Sequence, residues 1–355
     1  MKLDILRKRL EKEDRFPFLV LDLVNIRYLT GFMGSSAFLL LDADRDYFIS
    51  DSRYEEYARS IIPPGMEFVL MRGEAVKVIS KIIRRKRHGR LFLEEHGMTL
   101  SQYSAFKKTL AGVRLQEGGS PVNELRMQKE PAEIETIRAA VDLADRCFSH
   151  ILSIVKAGMP EWDLSVEIEY FYRKNGCRKT AFDSIVASGA GSSMPHYITS
   201  MTKKIEKGDA LLIDMGCEYE GYNSDLTRTI FINSIDEDLR GIYGIVREAQ
   251  ERAIGAVRPG ISCDALDSVA RDVIGRAGFG DAFGHSLGHG VGMEVHEIPA
   301  VKSGGRTRLK TNTIITVEPG IYIPGKGGVR IEDVVLVTDG GSEILTNSSK
   351  DIHIV

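Results

Sequence analysis

Leu211-Leu-Ile-Asp-Met-Gly-Cys-Glu-Tyr-Glu-Gly-Tyr-Asn-Ser-Asp225 and Val317-Glu-Pro-Gly-Ile-Tyr-Ile-Pro-Gly-Lys-Gly-Gly-Val-Arg-Ile-Glu332 decide the fold of the C-terminal half. Leu211–Asp214 reads as the end of a buried strand. Tyr222–Phe231, with Thr227, Thr229 and Ile230, reads as a second one. Glu218-Tyr-Glu-Gly221 between them has turn character, with Gly221 the least hindered residue. The midpoint of 214 and 225 is 219.5, inside that turn, so an antiparallel hairpin is expected to set Asp214 opposite Asp225. Directly opposed residues hold their Cβ atoms roughly 5 Å apart. The second stretch repeats the logic: the midpoint of 318 and 332 is 325, which is Gly325 in a Pro-Gly-Lys-Gly-Gly turn.

Like charges that close are destabilising, and more so when buried. His289, in Gly288-His-Gly-Val-Gly292, lies in sequence between the two acidic pairs. A pair of divalent cations removes the conflict, because bound ions are the largest local charges and reverse the usual pKa logic. Oxygen ligands with one imidazole suit manganese, cobalt, iron or zinc better than a thiolate-seeking metal. Two surface hairpins with incidental acids would account for one such pair, but poorly for two symmetric pairs and a glycine-flanked histidine.

The chain has 355 residues, which makes two domains the default, with the boundary expected near residue 125: residues 1–125, then residues 126–355. Apolar and charged fractions of 43% and 27% are those of an ordinary globular protein, and a net charge of −3 offers no electrostatic case for nucleic acid. The basic run from Lys81 to Arg90 reads as the solvated end of a helix that begins near Ala75. Cys147, Cys177, Cys217 and Cys263 lack metal-ligand spacing and read as reduced packing residues, which fits a cytoplasmic location. No apolar run approaches the roughly 18 residues of a membrane span.

In the first third, strands at 18–23, 37–41, 47–50, 67–71 and 90–93 alternate with helical patterns at 51–62, 75–85 and 99–110, an α/β layer arrangement. Pro121-Val-Asn-Glu-Leu-Arg is the expected crossing segment. Beyond it, helices are expected from Pro131 toward Lys156, and over 162–174, 236–256 and 263–277.

Further motifs surround the acidic pairs. Ser188-Gly-Ala-Gly-Ser-Ser-Met-Pro-His196 is a loop ending in a histidine, Gly284-His285-Ser-Leu-Gly-His289-Gly-Val-Gly-Met-Glu-Val-His296 holds three, and Arg330 stands two residues before Glu332. With these, and with Asn25-Ile-Arg-Tyr-Leu-Thr-Gly-Phe32, Asp51-Ser-Arg-Tyr54 and Asn123-Glu-Leu-Arg-Met-Gln-Lys-Glu-Pro-Ala-Glu-Ile134, the chain resembles the pita-bread (M24) metallopeptidases over nearly its whole length. The branch it resembles contains Xaa-Pro aminopeptidases and Xaa-Pro dipeptidases (prolidases). The resemblance implies an α/β creatinase-like N-terminal domain followed by an α+β pita-bread catalytic domain.

It also implies a dinuclear exopeptidase that cleaves the Xaa-Pro bond at the N-terminus of peptides. Asp214, Asp225, His289, Glu318 and Glu332 would hold two divalent ions, manganese first, with cobalt, zinc and iron as alternatives. Asp225 and Glu332 would bridge the ions, Asp214 would complete one site, and His289 with Glu318 the other. A bridging hydroxide would be the nucleophile and Glu318 the proton shuttle. His196 and His296 would contact the scissile amide, and His285 matches a further active-site histidine. Arg330 would orient Glu332 or a neighbouring carboxylate, and Tyr322 would lie near the metals. The expected partners are peptides with proline second, and a homodimer is implied.

His88, His96, His150 and His353 keep a structural reading. Some prolidases carry an arginine after the Val-His-Glu-x-Pro element, where it can hold a dipeptide's carboxylate. Here Pro299 is followed by Ala300, with Arg306 and Arg308 as the available substitutes. That departure favours peptides longer than two residues, with strict prolidase activity as the alternative. A metal-free creatinase-like hydrolase and a non-catalytic peptide-binding module share the fold, but neither explains a complete set of five ligands.

Overall fold

In a computed structural model, which describes residues 2–355, the chain divides into two compact units, 1–126 and 127–355. The first contains, in order, α1 (Lys2–Lys12), β1 (Phe18–Val20), α2 (Leu23–Thr30), β2 (Phe38–Leu41), β3 (Tyr47–Ser50), α3 (Glu55–Ile61), β4 (Glu67–Leu70), α4 (Ala75–Arg85), β5 (Arg90–Leu93), α5 (Leu100–Thr109) and β6 (Arg114–Glu117), with α6 (Pro121–Met127) at the boundary. Its six strands form one sheet in the order β4-β3-β2-β1-β5-β6. The pairs β1–β5, β5–β6 and β3–β4 are parallel, and β1–β2 and β2–β3 are antiparallel.

The reasons are local. On α4, Val76, Ile79, Ile82 and Ile83 recur at helical spacing and pack under the sheet, while Arg84 and Arg85 crowd the C-terminal turn, where cations are favoured. Thr99 and Gln102 cap α5 reciprocally. The expected strand over 18–23 stops at Val20, because Asp22 accepts from the Val24 and Asn25 amides and starts a helix there. Gly31, at φ +79°, ends that helix.

The second unit contains α7 (Pro131–Ile154), α8 (Glu161–Lys174), β7 (Lys179–Thr180), β8 (Ile185–Ser188), β9 (Ala210–Met215), β10 (Cys217–Tyr219), β11 (Tyr222–Asn223), β12 (Leu226–Phe231), α9 (Glu237–Ala256) and α10 (Cys263–Arg276). They are followed by β13 (Gly288–Gly290), β14 (Glu297–Val301), β15 (Ile314–Val317), β16 (Gly320–Ile323), β17 (Gly327–Arg330), β18 (Asp333–Thr338) and β19 (Gly341–Ile344). The principal sheets run β12-β9-β8 and β14-β13-β15-β18-β19, with β16–β17 as a separate hairpin.

Helices cover one side of each sheet. Leu211, Ile213 and Met215 of β9, with Leu226 and Ile230 of β12, pack against α7 and α8. Ile315, Val317, Ile321, Val329 and Val335 pack against α9 and α10. Because successive strand residues point to opposite faces, burying these sends Leu212, Asp214, Thr227, Thr316, Tyr322 and Arg330 to the other side. Each buried aliphatic side chain contributes roughly 1.5–3 kcal/mol, so the register is fixed by the apolar face and the polar face follows it.

The two acidic pairs meet by different routes. Gly320↔Arg330 in the β16–β17 hairpin and Val317↔Asp333 in β15–β18 share one register, which sets Glu318 across from Glu332 as expected. The ladder is interrupted at both glutamates, since the Glu318 amide donates to Leu287 O (2.8 Å) and the Glu332 amide to Thr227 O (3.1 Å). The aspartates depart from expectation. Asp214 pairs with Thr227, and the strand expected over 222–231 is broken at Ser224 and Asp225. Glu220 (φ +47°) and Gly221 (φ +91°) form a two-residue turn between Tyr219 and Tyr222, so the register is two positions off the expected one and Asp225 is the diagonal neighbour of Asp214.

Candidate metal centre

The polar faces of β9, β12, β13, β15 and β17 converge. One donor atom from each of Asp225, His289 and Glu332 lies within 4.8 Å of the others. His289 Nε2 is also 3.2 Å from Glu318 Oε1 and 3.7 Å from Asp225 Oδ2. Asp214 is tied in through Arg330, whose Nη2 donates to Asp214 Oδ2 at 2.5 Å.

The supports explain why these side chains point inward. His289 Nδ1 is 3.1 Å from the Gly290 carbonyl; a carbonyl only accepts, so Nδ1 carries a proton and Nε2 faces the carboxylates. The His289 amide donates to Thr316 Oγ1. A Cβ on Gly288 would collide with the Thr316 carbonyl, and one on Gly290 with the Ile298 carbonyl, so glycine is required on both sides of His289. Thr227 Oγ1 donates to Glu332 Oε2 (2.8 Å) and accepts from Arg330 Nε (3.1 Å). Behind the centre, Arg228 is buried and donates to Thr227 O (3.0 Å), to the Glu332 carbonyl and to Asp333 Oδ1 (2.7 Å). Gln250 and Lys350 complete the partners of Asp333.

A second chain of hydrogen bonds leads outward. Arg330 Nη1 donates to Tyr322 Oη (2.9 Å), which lies 2.9 Å from His285 Nε2, while His285 Nδ1 is 2.7 Å from the Ser286 carbonyl. The carbonyl fixes the proton on Nδ1, so Tyr322 donates to His285. Burial pushes the Tyr322 hydroxyl up to about 12 and holds His285 below its ordinary value. Arg330 Nη1 also reaches Pro195 O (3.3 Å), which brings the loop bearing His196 to the centre.

His296 is exposed, with its ring 4.3 Å from that of His289. The loop before it is held by Glu297, which accepts from the Glu294 amide and pairs with buried Lys129 at 3.1 Å. Of the substitutes for the missing arginine, Arg306 is exposed and Arg308 donates to Gly260 O. His88 and His150 are held by Asp42 and Glu167, and His353 lies edge-on to Phe148.

The electrostatics demand neutralisation. Ionised oxygens of Asp225 and Glu332, within 4.8 Å of each other, would repel by roughly 3 kcal/mol or more at an effective dielectric of about 20, a large share of a domain's net stability. Without a cation the strain appears as displaced proton affinities. Burial, then Glu332 and Asp214, push Asp225 well above the usual carboxylate range; burial, then Glu318 and Asp214, do the same to Glu332. Burial also raises Asp214, with Arg330 opposing it. Burial pushes Glu318 up, but the hydrogen bond and charge of His289, aided by His285 and Arg330, more than offset it. Burial alone would lower His289, and Glu318 raises it instead.

The donor set fits divalent metal. Asp214 Oδ1 and Glu332 Oε1 are buried with no hydrogen-bond partner among the described residues, and such atoms are rare unless an ion or water satisfies them. Thr227, Thr316 and Arg228 belong to the same construction. Sequence reading passed over the threonines because threonine on a strand is ordinary, although Thr227 on the face of Asp214 was the available signal.

The chain matches the metallopeptidase family M24 over residues 135–339 and the Creatinase/Prolidase N-terminal domain over residues 2–128. It is 37% identical over 331 residues to an Xaa-Pro dipeptidase of Pyrococcus furiosus, covering 93% of this chain and 92% of that one. The solved Xaa-Pro dipeptidase from Bacillus anthracis superposes with a TM-score of 0.95 at 38% identity, covering 100% of this chain and 99% of that chain. The X-Pro aminopeptidase from Thermotoga maritima superposes with a TM-score of 0.87 at 36% identity, covering 98% and 100%.

Two outcomes are expected. Thr227→Val lowers metal affinity by about 10- to 100-fold in calorimetric titration while Thr227→Ser largely retains it, because the hydroxyl orients Glu332. The raised values of Asp225 and Glu332 stabilise the metal-free protein only while both stay protonated, an advantage lost as pH rises through their folded values. Metal displaces those protons, so the Tm gain on adding Mn2+ should grow as pH is raised from about 5 to 8, and a gain independent of pH would contradict the assignment.

Proposed function

The chain belongs to metallopeptidase family M24, and we propose that it is a dinuclear metal-dependent exopeptidase that hydrolyses the Xaa-Pro bond at the N-terminus of peptides. The observation that carries this reading is the convergence of Asp225, His289 and Glu332 donors within 4.8 Å, with Asp214 and Glu318 beside them and two carboxylate oxygens left without partners. Asp214, Asp225, His289, Glu318 and Glu332 would together hold the two ions. Manganese is the proposed ion, with cobalt, zinc and iron as alternatives, in keeping with four carboxylates and one imidazole. When bound, the ions supply Lewis acidity, drawing the pKa of a water toward neutrality and polarising the scissile carbonyl.

The remaining steps fall to side chains of the protein. Glu318 takes the proton of the attacking water and hands it to the proline nitrogen as the C–N bond breaks. The bond before proline is a tertiary amide with no N–H, so no acceptor for an amide hydrogen is needed. His196 and His296, at the mouth, hydrogen-bond the scissile amide and the developing oxyanion. Arg330 holds Asp214 in place and, through Tyr322, fixes the ring of His285 as a neutral donor–acceptor at the edge of the site.

The preferred substrates are peptides longer than two residues. Ala300 stands directly opposite His289, so no cationic side chain occupies that position to hold a dipeptide's carboxylate, and Arg308 is engaged by Gly260. Strict dipeptidase activity is the second reading, favoured by the name of the Pyrococcus furiosus relative. A cytoplasmic homodimer is proposed with it. The four cysteines are free thiols, in keeping with a reducing compartment, and no helix among the described residues is long and apolar enough to cross a membrane.

The test is a cleavage profile on Xaa-Pro, Xaa-Pro-Yaa and matched non-proline peptides with added Mn2+ or Co2+. Cleavage confined to proline-second peptides is expected, and equal turnover of the non-proline series removes the specificity claim. Glu318→Ala is expected to lower kcat by about 10²- to 10⁴-fold, and wild-type kcat in that variant would remove the proton-shuttle role.

A further inference from the structure

His196 stands at the rim of the metal centre with nothing in the protein holding its ring. The side chain is exposed, and the imidazole makes no hydrogen bond among the described residues. It is nevertheless near the reacting groups: burial lowers the proton affinities of His285 and His296, and the charge of His196 adds to the effect in both. A ring with no partner of its own is aimed by its backbone, so its direction depends on what anchors the residues on either side. Pro195, before it, offers its carbonyl to Arg330 Nη1 (3.3 Å). Tyr197, after it, packs against Ala187, Leu212 and Tyr322 and donates from Oη to Glu161 Oε2 (2.9 Å).

Glu161 is the first residue of α8, and its side chain is fully buried. Its two oxygens accept at both ends of the segment that carries His196. Oε1 receives the Ser188 amide (2.8 Å) and hydroxyl (2.6 Å), and Oε2 receives the Tyr197 hydroxyl and the Ser200 amide (3.2 Å). Lys203 Nζ, 3.4 Å from Oε1, and the N-terminal end of the helix offset the buried charge. Every one of these partners is a donor, so only an ionised carboxylate satisfies them all; an amide of the same shape would turn N–H groups toward donors. On its other side the segment is fixed to β17. The Gly328 amide donates to Ser192 Oγ (2.9 Å), and a Cβ on Gly328 would collide with the Ser192 carbonyl.

We propose that Glu161 is a positioning residue for the reaction, aiming the His196 ring at the scissile bond through Tyr197, which rests on the Xaa-Pro reading above. Glu161 touches no reacting atom. Its influence reaches the centre through the hydroxyl of Tyr197 and the one peptide bond that joins Tyr197 to His196. Arg330 fixes the preceding residue, so the ring is set by two anchors, one from the strand that also holds Asp214 and one from the start of α8. Releasing the second anchor lets the ring swing while the carboxylates and their supports stay in place. A contact made chiefly in the transition state is then weakened, and kcat falls with little change in KM.

Tyr197→Phe removes one hydroxyl and keeps the ring that packs against Tyr322. It is expected to lower kcat on an Xaa-Pro peptide about tenfold, with KM and Mn2+ affinity near wild type, and Glu161→Gln to lower kcat about 10²-fold. In a His196→Ala background Tyr197→Phe should have no further effect, because the residue it acts through is gone. A readout independent of turnover is the imidazole NMR spectrum of the full-length, metal-free protein. The His196 signals, assigned by their loss in His196→Ala, should shift in both variants, while those of His88 and His150, held by Asp42 and Glu167, stay in place. Wild-type kcat in Tyr197→Phe, or unmoved His196 signals, overturns the proposal. So does an equal kcat loss with and without His196, or a loss that comes with weakened Mn2+ binding, either of which would assign Glu161 to the fold alone. If Glu161→Gln does not fold, Tyr197→Phe decides by itself. If the wild-type protein cleaves no Xaa-Pro peptide, the reaction assignment fails, and the His196 signals still decide whether Glu161 and Tyr197 aim the ring.

Discussion

Mutual repulsion among buried carboxylates is the constraint around which the catalytic unit is built. Apolar packing against α7, α8, α9 and α10 sets the strand registers, and those registers send Asp214, Glu318 and Glu332 to a shared face. An apolar fold would avoid such crowding. Here the backbone makes it unavoidable, because the amides of Glu318 and Glu332 are taken by Leu287 O, just before β13, and by Thr227 O of β12 rather than by each other. Neutral and cationic neighbours then hold what repulsion would scatter. Thr227 and Thr316 bind single carboxylate oxygens, Arg330 holds Asp214, and Arg228 clamps the peptide groups beneath Thr227 and Glu332.

The Arg228–Asp333 pair shows how far the second unit goes to keep that geometry. Both side chains are 1% exposed and 2.7 Å apart. Burying two charges costs several kcal/mol per ion, which the pair recovers only if the remaining donors and acceptors are satisfied. They are: Arg228 also donates to Thr227 O, Ser348 O and Ser349 O, and Asp333 also receives Gln250 and Lys350. Arg228 and Lys350 outweigh the burial that would otherwise raise the Asp333 carboxyl, and keep it ionised. Asp333 follows the candidate ligand Glu332 in sequence, so this network fixes the ligand from behind.

Much of this was legible in the sequence because turn chemistry and period agree. Tyr47–Ser50, Ala75–Arg85 and Arg90–Leu93 have the expected ends, where apolar periodicity stops at charged or glycine residues. The glutamate pair sits across from itself because Gly325, at φ +78°, centres its hairpin where the sequence places it. The aspartate pair was legible as a pair but not in register, since nothing local tells whether Glu218–Gly221 turns over four residues or over Glu220 and Gly221 alone. α2 was missed because its first residues continue the apolar run of β1, and β6 because Arg-Leu-Gln-Glu at a sheet edge has no alternating pattern. The tether from Pro195 to Arg330 spans 135 residues, beyond the reach of any local pattern.

The break in the hairpin at Glu318 and Glu332 has one more effect. Their main-chain anchors, Leu287 O beside β13 and Thr227 O in β12, are backbone groups and owe nothing to whatever the carboxylates hold. The cage is therefore preformed at the level of its Cα atoms. A divalent ion arriving there would meet ligands whose backbones already stand in place, so loading would demand no rearrangement of the walls.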